Sequence, residues 1–231
     1  MTTIAVRLQA VLSRIEAAAA RAGRLPRDIR LVAVSKTFAP AAIAQAHTAG
    51  QTAFGESYLQ EAVGKIAVLA ALNLEWHHIG PIQSNKTRQI AELFQWAHAV
   101  DRLKIAERLS SSRPAGLPPL QVCVQVNVSG EASKGGVRAE EALALAQAIS
   151  ALPGIRLRGL MAIPEPTADV ALQVARFRQV RELKDQIVGH GIGLDTLSMG
   201  MSDDLEAAVA EGATLVRVGR AIFGERPPVA G

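Results

Sequence analysis

Apolar residues along the chain follow two alternating patterns. Short runs rich in Val, Ile and Leu, such as residues 31–34, are followed by longer stretches in which apolar residues recur at helical spacing. Short runs of this kind are typical of parallel strands that are buried on both faces. The pattern predicts eight strands, at residues 30–35, 52–55, 75–80, 96–100, 120–128, 157–163, 196–199 and 215–218.

The longer stretches predict helices between these strands, and several of them end at a glycine, as helices commonly do. They cover residues 41–48, 59–72, 86–93, 103–110, 139–149, 170–188 and 204–210, and a further helix at 3–22 precedes the first strand. Strands that alternate with helices in this way predict an α/β fold, namely a single (β/α)8 TIM-type barrel domain with an additional N-terminal helix, spanning residues 1–231. A doubly wound open sheet is the alternative.

Composition narrows the functional classes. With 231 residues, 49% of them hydrophobic, the chain is long enough for one sizeable core. Lys and Arg number 25 against 21 Asp and Glu, the basic residues are scattered, and aromatic residues make up 3%, so no nucleic-acid partner is expected. The N-terminus lacks a signal-peptide core and no apolar run is long enough to span a bilayer, which predicts a cytoplasmic protein without membrane contact. The single Cys123 fits a reducing compartment and a place in the core.

The first predicted strand ends abruptly in Lys36. In α/β barrels ligands gather at the carboxyl ends of the strands. A partly desolvated lysine there has a lowered pKa and acts as a nucleophilic amine, which favours Schiff-base chemistry. The alternative is a lysine that only extends from the sheet into water.

Polar residues also follow the other predicted strands, and in a barrel they share one rim. The loops after the seventh and eighth strands often form a phosphate site, and Ser198, Gly200, Ser202 and Gly219 suit that role because small residues allow close backbone approach. The alternative for Ser202 is the N-cap of the next helix, whose early acidic residues argue against an anion bound farther along it.

An amine on the first strand and a phosphate site on the last two together favour a phosphorylated aldehyde as the ligand. Pyridoxal 5'-phosphate (PLP) is the first candidate. A cofactor-free Schiff-base aldolase acting on a sugar phosphate would need the same two features, so the residues by themselves leave both open.

Seven blocks of sequence, in order and across nearly the whole chain, resemble the pyridoxal phosphate homeostasis proteins, which are related to the N-terminal barrel of alanine racemase. A string of blocks in the same order is far more specific than any one of them. The blocks are residues 31–37, 54–58, 76–86, 125–129, 159–164, 197–202 and 216–224.

This resemblance implies a cofactor site for PLP. The implied cofactor-binding residues are Lys36 as the attachment point, Arg217 near the pyridine nitrogen, Ser57, and a phosphate cradle of Ser198, Ser202, Gly219 and Arg220. Two positions depart from the family pattern. Ser57 stands where asparagine is expected, and Arg220 stands where some relatives have Thr or Ser, so Arg220 is expected to contribute its backbone N–H.

Arg217, if it meets the pyridine nitrogen, limits the chemistry. A guanidinium stays protonated and has no acceptor, so the ring nitrogen would remain unprotonated. Such a ring is a poorer electron sink than a pyridinium, which disfavours carbanion chemistry. The alternative for Arg217 is an ion pair with Glu206 or Asp204.

A racemase also needs acid–base groups on both faces of the substrate carbon. Lys36 would serve one face, and we expect no further β-domain that supplies the opposing tyrosine of the resembled racemases. Tyr58, His77, His78 and Cys123 are the alternative partners. Because alternation sends His77 and His78 to opposite sides of their strand, each is expected to be a packed or hydrogen-bonded core histidine, and the remaining histidines look scattered, without metal-ligand spacing.

These arguments together predict a protein of intracellular PLP homeostasis. It would hold PLP as a reversible Schiff base on Lys36, as a carrier or buffer without robust catalysis. A PLP-dependent amino-acid racemase is the second hypothesis, and the cofactor-free aldolase is the third. The expected partners are PLP and apo forms of PLP-dependent enzymes, and the expected state is a monomer.

Overall fold

The computed structural model describes residues 2–131 and 135–225 of the chain. Within these residues eight parallel strands form a closed barrel in chain order, and β1 pairs with β8 to complete the ring. The strands are β1 Arg30–Val34, β2 Ala53–Glu56, β3 Glu75–His78, β4 Trp96–Val100, β5 Leu120–Gln125, β6 Ile155–Met161, β7 Thr196–Ser198 and β8 Leu215–Val218.

Helices connect successive strands and cover the outside of the barrel. They are α1 Ile4–Arg21, α2 Pro40–Thr48, α3 Leu59–Val68, α4 Thr87–Leu93, α5 Leu103–Ser112, α6 Ala139–Ser150, α7 Val170–Gly189, α8 Leu205–Ala210 and α9 Arg220–Phe223, with single 3-10 turns at Pro26–Asp28 and Ala70–Leu72. The predicted TIM-type barrel with an additional N-terminal helix is therefore confirmed, and the doubly wound alternative is wrong.

The N-terminal helix α1 packs on the seam where the barrel closes. The Thr3 side chain accepts a hydrogen bond from the Val6 N–H and caps its first turn. Its buried face carries Leu8, Val11 and Ile15 and contacts α8 and α9. The helix thus braces the last two helices of the fold against the start of the chain.

Several strands end earlier at their carboxyl ends than the apolar runs predict. β3 ends at His78 instead of residue 80, β5 at Gln125 instead of 128, and β6 at Met161 instead of 163. The first residue after each of these strands still donates a backbone hydrogen bond to the neighbouring strand, and the residues beyond it build the loops of the barrel mouth. One example is Asn127, whose side-chain oxygen accepts a hydrogen bond from the Gly130 N–H at 3.0 Å. Apolar residues continue past the strand ends into the mouth loops, and in the sequence they cannot be distinguished from strand residues. The predicted strands are therefore too long at their carboxyl ends.

The interior of the barrel is unusually polar. Branched aliphatic residues dominate the interior of most TIM barrels, whereas His77, His98, Ser198 and Arg217 extend inward here from β3, β4, β7 and β8 and are buried. The apolar core lies largely between the strands and the surrounding helices. These inward polar groups link the fold to the site described below.

Tight packing between β6 and β7 requires a glycine at position 159. A Cβ added there would overlap with the carbonyl oxygen of Thr196 on the paired strand. We expect Gly159→Ala to lower the free energy of unfolding by about 1–3 kcal/mol, the usual range for overpacking, as measured by urea denaturation. Gly64→Ala is the control, because a Cβ at this exposed position of α3 meets nothing within 4 Å. It should raise stability by about 0.5–1 kcal/mol, and equal effects of the two substitutions would contradict this account.

Candidate functional site

A cavity of about 1050 Å³ opens at the carboxyl ends of the strands. The six predicted site residues that line it are Lys36, Ser57, Ser202, Arg217, Gly219 and Arg220. The seventh, Ser198, is fully buried below the mouth, so its predicted contact with phosphate stays a prediction. The fold thus gathers at one opening side chains from the first, second, seventh and eighth strand ends.

Lys36 follows β1 and lies between two anchored peptide groups. On one side, the carbonyl oxygen of Ser35 accepts hydrogen bonds from Lys65 Nζ at 2.7 Å and from the Phe38 N–H at 3.1 Å. On the other side, the Thr37 N–H donates to Glu61 Oε1 at 2.6 Å. Thr37 has φ +70°, a costly conformation for a β-branched residue, and such strain persists only where the surroundings impose it.

The groups that anchor this turn form a buried ionic cluster behind β1, made of Glu56, Glu61 and Lys65. Lys65 Nζ donates to Glu56 Oε1 and to the Ser35 carbonyl oxygen, each at 2.7 Å, and it forms an ion pair with Glu61 Oε1 at 2.5 Å. The Ser35 hydroxyl donates to Glu56 Oε1 at 2.6 Å. Burial raises the pKa of Glu56, although Lys65 opposes that shift. Glu56 and Lys65 are held out of water, whereas Glu61 is partly exposed, and together they fix the backbone around Lys36.

Sequence analysis missed this cluster. Lys65 lies four residues after Glu61 on a helix, and such pairs are usually on the surface. The available signal was position, because Lys65 shares the buried face of α3 with Leu59 and Ala62.

Removal of Lys65 should be far more costly than removal of a surface lysine. Lys65→Met leaves Glu56 buried without its cation, so we expect the free energy of unfolding to fall by about 3–5 kcal/mol. Lys104→Met on the exposed face of α5 is the matched control and should change stability by less than about 0.5 kcal/mol. Urea denaturation of both variants measures the difference, and a loss below about 1 kcal/mol for Lys65→Met would argue against a structural role of the cluster.

Two glycines allow the mouth loops to approach each other closely. A Cβ at Gly80 would lie 2.5 Å from the carbonyl oxygen of Ser57, and one at Gly219 would lie 3.0 Å from the carbonyl oxygen of Val34. Gly80 therefore needs a residue without a side chain, and at Gly219 a Cβ would fit only if the Val34 backbone shifted by a few tenths of an ångström. The first contact sets the backbone of Ser57 at the cavity, and the second sets β8 against the end of β1.

The alternative role for Ser202, as an N-cap, is wrong. Helix α8 begins at Leu205, and its N-cap position is Asp204, whose Oδ1 accepts a hydrogen bond from the Met201 N–H at 2.5 Å. Burial raises the pKa of Asp204. Ser202 instead lies in the wall of the cavity, while its backbone carbonyl accepts a hydrogen bond from Arg14 at 3.0 Å.

Arg217 is buried on its strand with only 4% of its surface exposed. Its Nη1 donates to Ser198 Oγ at 2.7 Å and its Nη2 donates to the carbonyl oxygen of Ala162 at 3.0 Å. Burial lowers its pKa to about 10, which leaves it protonated at neutral pH. The predicted alternative, a direct ion pair with Glu206 or Asp204, does not form, because Glu206 accepts two hydrogen bonds from Arg14 and Arg217 donates to neutral oxygens. The charge of Asp204 still acts at longer range and raises the pKa of Arg217 against the effect of burial.

The two adjacent histidines of β3 lie on opposite sides of the strand, as alternation predicts. His78 packs edge-on against Phe94, with ring centroids 5.3 Å apart. His77 faces the interior, where its Nδ1 lies 2.9 Å from His98 Nε2. His98, one of the histidines that look scattered in the sequence, therefore has His77 as a partner. The available signal was that alternation sends both side chains inward from neighbouring strands. Among residues 2–131 and 135–225, no group of three or more His, Cys, Asp or Glu could hold a metal ion.

Buried histidines should make stability depend on pH. Burial lowers the pKa of His78 from 6.5 to about 4. Between these values the unfolded chain binds a proton that the folded chain does not, so stability falls as pH falls through 6.5. We expect His78→Leu to remove about 1–2 kcal/mol of the stability that the wild type loses between pH 7 and pH 5. Urea denaturation at pH 5, 7 and 8 tests this. The two proteins should respond alike between pH 7 and 8, and an equal loss at pH 5 would refute the assignment.

Tyr58 and Cys123, the remaining candidates for acid–base chemistry, are not among the described residues that line the cavity. Tyr58 is 55% exposed just before α3. Cys123 is fully buried in β5, where burial raises the pKa of its thiol to about 12. It is therefore a core residue, as its apolar setting predicts. No helix in the described part of the chain is both long and apolar enough to cross a membrane.

Comparison with known proteins agrees with this fold and site. A family model described as the N-terminal domain of alanine racemase matches residues 6–227, which defines the class of barrel. The pyridoxal phosphate homeostasis protein of Pseudomonas aeruginosa is 64% identical, over 98% of this chain and 97% of that protein. PipY of Synechococcus elongatus, solved with PLP bound, is 38% identical with a TM-score of 0.85 and covers 96% of this chain and 100% of its own. The chain belongs to the pyridoxal phosphate homeostasis protein family.

The alanine racemase of Corynebacterium glutamicum shares the fold. It is 18% identical with a TM-score of 0.67, and the match covers 97% of this chain but 62% of the racemase. At that identity the likeness concerns the barrel alone.

Proposed function

We propose that this protein binds PLP in the mouth cavity as a reversible Schiff base on Lys36 and acts in PLP homeostasis as a carrier or buffer without robust catalysis. The observation that carries the proposal is that a lysine amine and a buried guanidinium, from the first and last strands of the barrel, line one cavity. Family membership and the PLP-bound structure of PipY support the same ligand.

The residues of the cavity suit the chemistry of PLP. Lys36 supplies an amine for the aldehyde, Ser202 supplies a hydroxyl for a phosphate, and Gly219 and Arg220 supply backbone N–H groups for it. Gly219 lines the cavity and carries no side chain, so its backbone can approach a ligand closely. Ser57 contributes a shorter side chain than the asparagine expected in the family.

Lys36 can form a bond with the aldehyde that water reverses. Its neutral amine adds to the aldehyde carbon and one water molecule leaves, and hydrolysis restores both groups. The anchored peptides on either side of Lys36 limit where the amine can reach. A bond that is formed and broken without a second reaction is what a carrier requires.

The surroundings of Arg217 favour binding of the cofactor and disfavour catalysis by it. A bound PLP supplies an electron sink whose strength depends on a proton at its ring nitrogen. A guanidinium can donate to that nitrogen but cannot accept from it, so it does not stabilise the protonated ring. His77, His78, Tyr58 and Cys123, the alternative acid–base partners of a racemase, do not line the cavity that the described residues form.

Absorption spectroscopy and borohydride trapping test this proposal. Purified protein titrated with PLP should develop a visible absorption band, and borohydride should then fix a pyridoxyl-phosphate adduct that peptide mapping places on Lys36. Lys36→Ala should lose the band and the adduct, whereas Lys104→Ala, at an exposed helix position, should keep both.

Two further assays separate the alternatives. The loaded protein should restore activity to an apo PLP-dependent enzyme and should show no steady racemisation of amino acids by chiral chromatography. Sustained racemisation that Lys36→Ala abolishes would favour the racemase. Failure to take up PLP, together with a borohydride-trapped adduct of a sugar phosphate, would favour the cofactor-free aldolase.

A further inference from the structure

Four hydrogen bonds run through the middle of the barrel from its amino end to Arg217. Glu75 Oε1 lies 2.7 Å from His77 Nε2, and His77 Nδ1 lies 2.9 Å from His98 Nε2. His98 Nδ1 lies 2.7 Å from Ser198 Oγ, which accepts from Arg217 Nη1 at 2.7 Å. We call these five residues the interior chain. Its members from His77 to Arg217 are at most 4% exposed.

The ends of the interior chain determine the direction of every bond in it. Arg217 can only donate, and an ionised Glu75 can only accept. A neutral histidine has one donor and one acceptor, so His77 must donate from Nε2 to Glu75 and accept at Nδ1 from His98 Nε2. His98 then accepts at Nδ1, and the hydroxyl hydrogen of Ser198 must be the donor. This network assigns both histidines to the Nε2–H tautomer.

The protonation states that this assignment requires agree with the surroundings. Burial alone would raise the pKa of Glu75, but His77 and Arg30 outweigh it and hold the pKa below its usual value. Burial lowers the pKa of both His77 and His98, so both are neutral. Arg30 Nη1 lies 2.7 Å from Glu75 Oε1.

The interior chain also explains how a buried guanidinium is held. A buried charge needs partners that favour the charged form, and hydrogen bonds aligned in one direction polarise one another. The Ser198 hydroxyl donates to His98, so the lone pairs of its oxygen can accept from Arg217. The series of hydrogen bonds ends at the carboxylate of Glu75, which accepts from His77. The carbonyl oxygen of Ala162 fixes the other terminal nitrogen of Arg217. Two nitrogens of one planar group are thereby fixed at once.

We propose that Glu75 is a positioning residue for the cofactor site, acting on Arg217 through His77, His98 and Ser198 from the opposite end of the barrel. The inference rests on the proposed function in one respect, that Arg217 borders bound PLP. It assigns a role at the mouth to residues that contribute no surface to the cavity. It also assigns the Ser198 hydroxyl to His98 instead of a ligand.

Glu75→Gln is the most direct test, because it keeps the shape of the side chain and removes the charge. A glutamine amide can donate to His77 Nε2, which permits the reverse order of donors as far as Ser198 Oγ, while the bond from Arg217 keeps its direction. Asp195→Asn is the matched control. It makes the same chemical change at a carboxylate that binds Arg158 and Thr196 and lies outside the interior chain.

The first readout is made without ligand. In the wild-type protein, ¹⁵N NMR should show the Nε2–H tautomer for His77 and His98, with slow hydrogen exchange of the Arg217 guanidinium. Glu75→Gln should admit the Nδ1–H tautomer at His98 and speed that exchange, and Asp195→Asn should change neither. An Nδ1–H tautomer of His98 in the wild type, or no response at His98 and Arg217 to Glu75→Gln, would overturn the proposal.

The second readout is the dissociation constant for PLP, from the absorption titration. Glu75→Gln should raise it about 3- to 30-fold, the range typical of coupling through packed networks, and Asp195→Asn less than about 2-fold. An unchanged constant would overturn the positioning role. If Glu75→Gln does not fold, His98→Leu interrupts the interior chain at its centre, at a residue that does not line the cavity, and should give the same rise. Failure of the wild type to bind PLP, with both tautomers as expected, would count against the proposed function while supporting the interior chain.

Discussion

The pairing of β1 with β8 is the contact on which the site depends. It places Ala33 beside Val218, so the residues that follow these strands, Lys36 and Gly219, meet at the same opening although nearly the whole chain separates them. The backbone of Gly219 packs against Val34, where a Cβ would lie 3.0 Å from the carbonyl oxygen. Contacts so distant in sequence carry a large loop-closure cost. The packing of α1 on α8 and α9, across the same seam, helps to offset that cost.

Two buried polar systems then fix the chemistry at the mouth, one on each side of the sheet. Outside the barrel, Lys65 and its two glutamates hold the turn that carries Lys36. Inside the barrel, the interior chain holds Arg217. Buried charges that are paired and hydrogen-bonded specify one arrangement of the groups involved. Apart from Arg217, which lines the cavity, the residues of both systems lie behind the surface that a ligand would meet, which is how a binding site gains precise geometry.

The sequence predicts some of this organisation and not the rest, for physical reasons. Alternating apolar patterns predict the order of strands and helices, since burial determines both periods. Once the strands are predicted, the sequence also shows which residues follow them, so the lysine after the first strand and the small residues after the last two can be predicted as site residues. Lys65 and His98 are different, because their roles depend on which side chains face each other across the barrel. Knowing that His77 pairs with Trp96 across β3 and β4 places His98 next to His77. That register comes from three-dimensional pairing, which the pattern along one strand does not contain.

The separation of the two polar systems bears on how a carrier would release its cargo. Under the proposed function, Lys36 makes the covalent bond and Arg217 borders the ring, yet no hydrogen bond joins the interior chain to the cluster of Lys65 in the part of the chain that the structure describes. Hydrolysis at Lys36 would therefore leave the bonds that hold Arg217 unchanged. A site whose ring-binding group is held independently of its covalent attachment keeps the same shape when empty. It can then take up a second molecule of the aldehyde without the entropic cost of reordering buried groups, which preorganisation avoids.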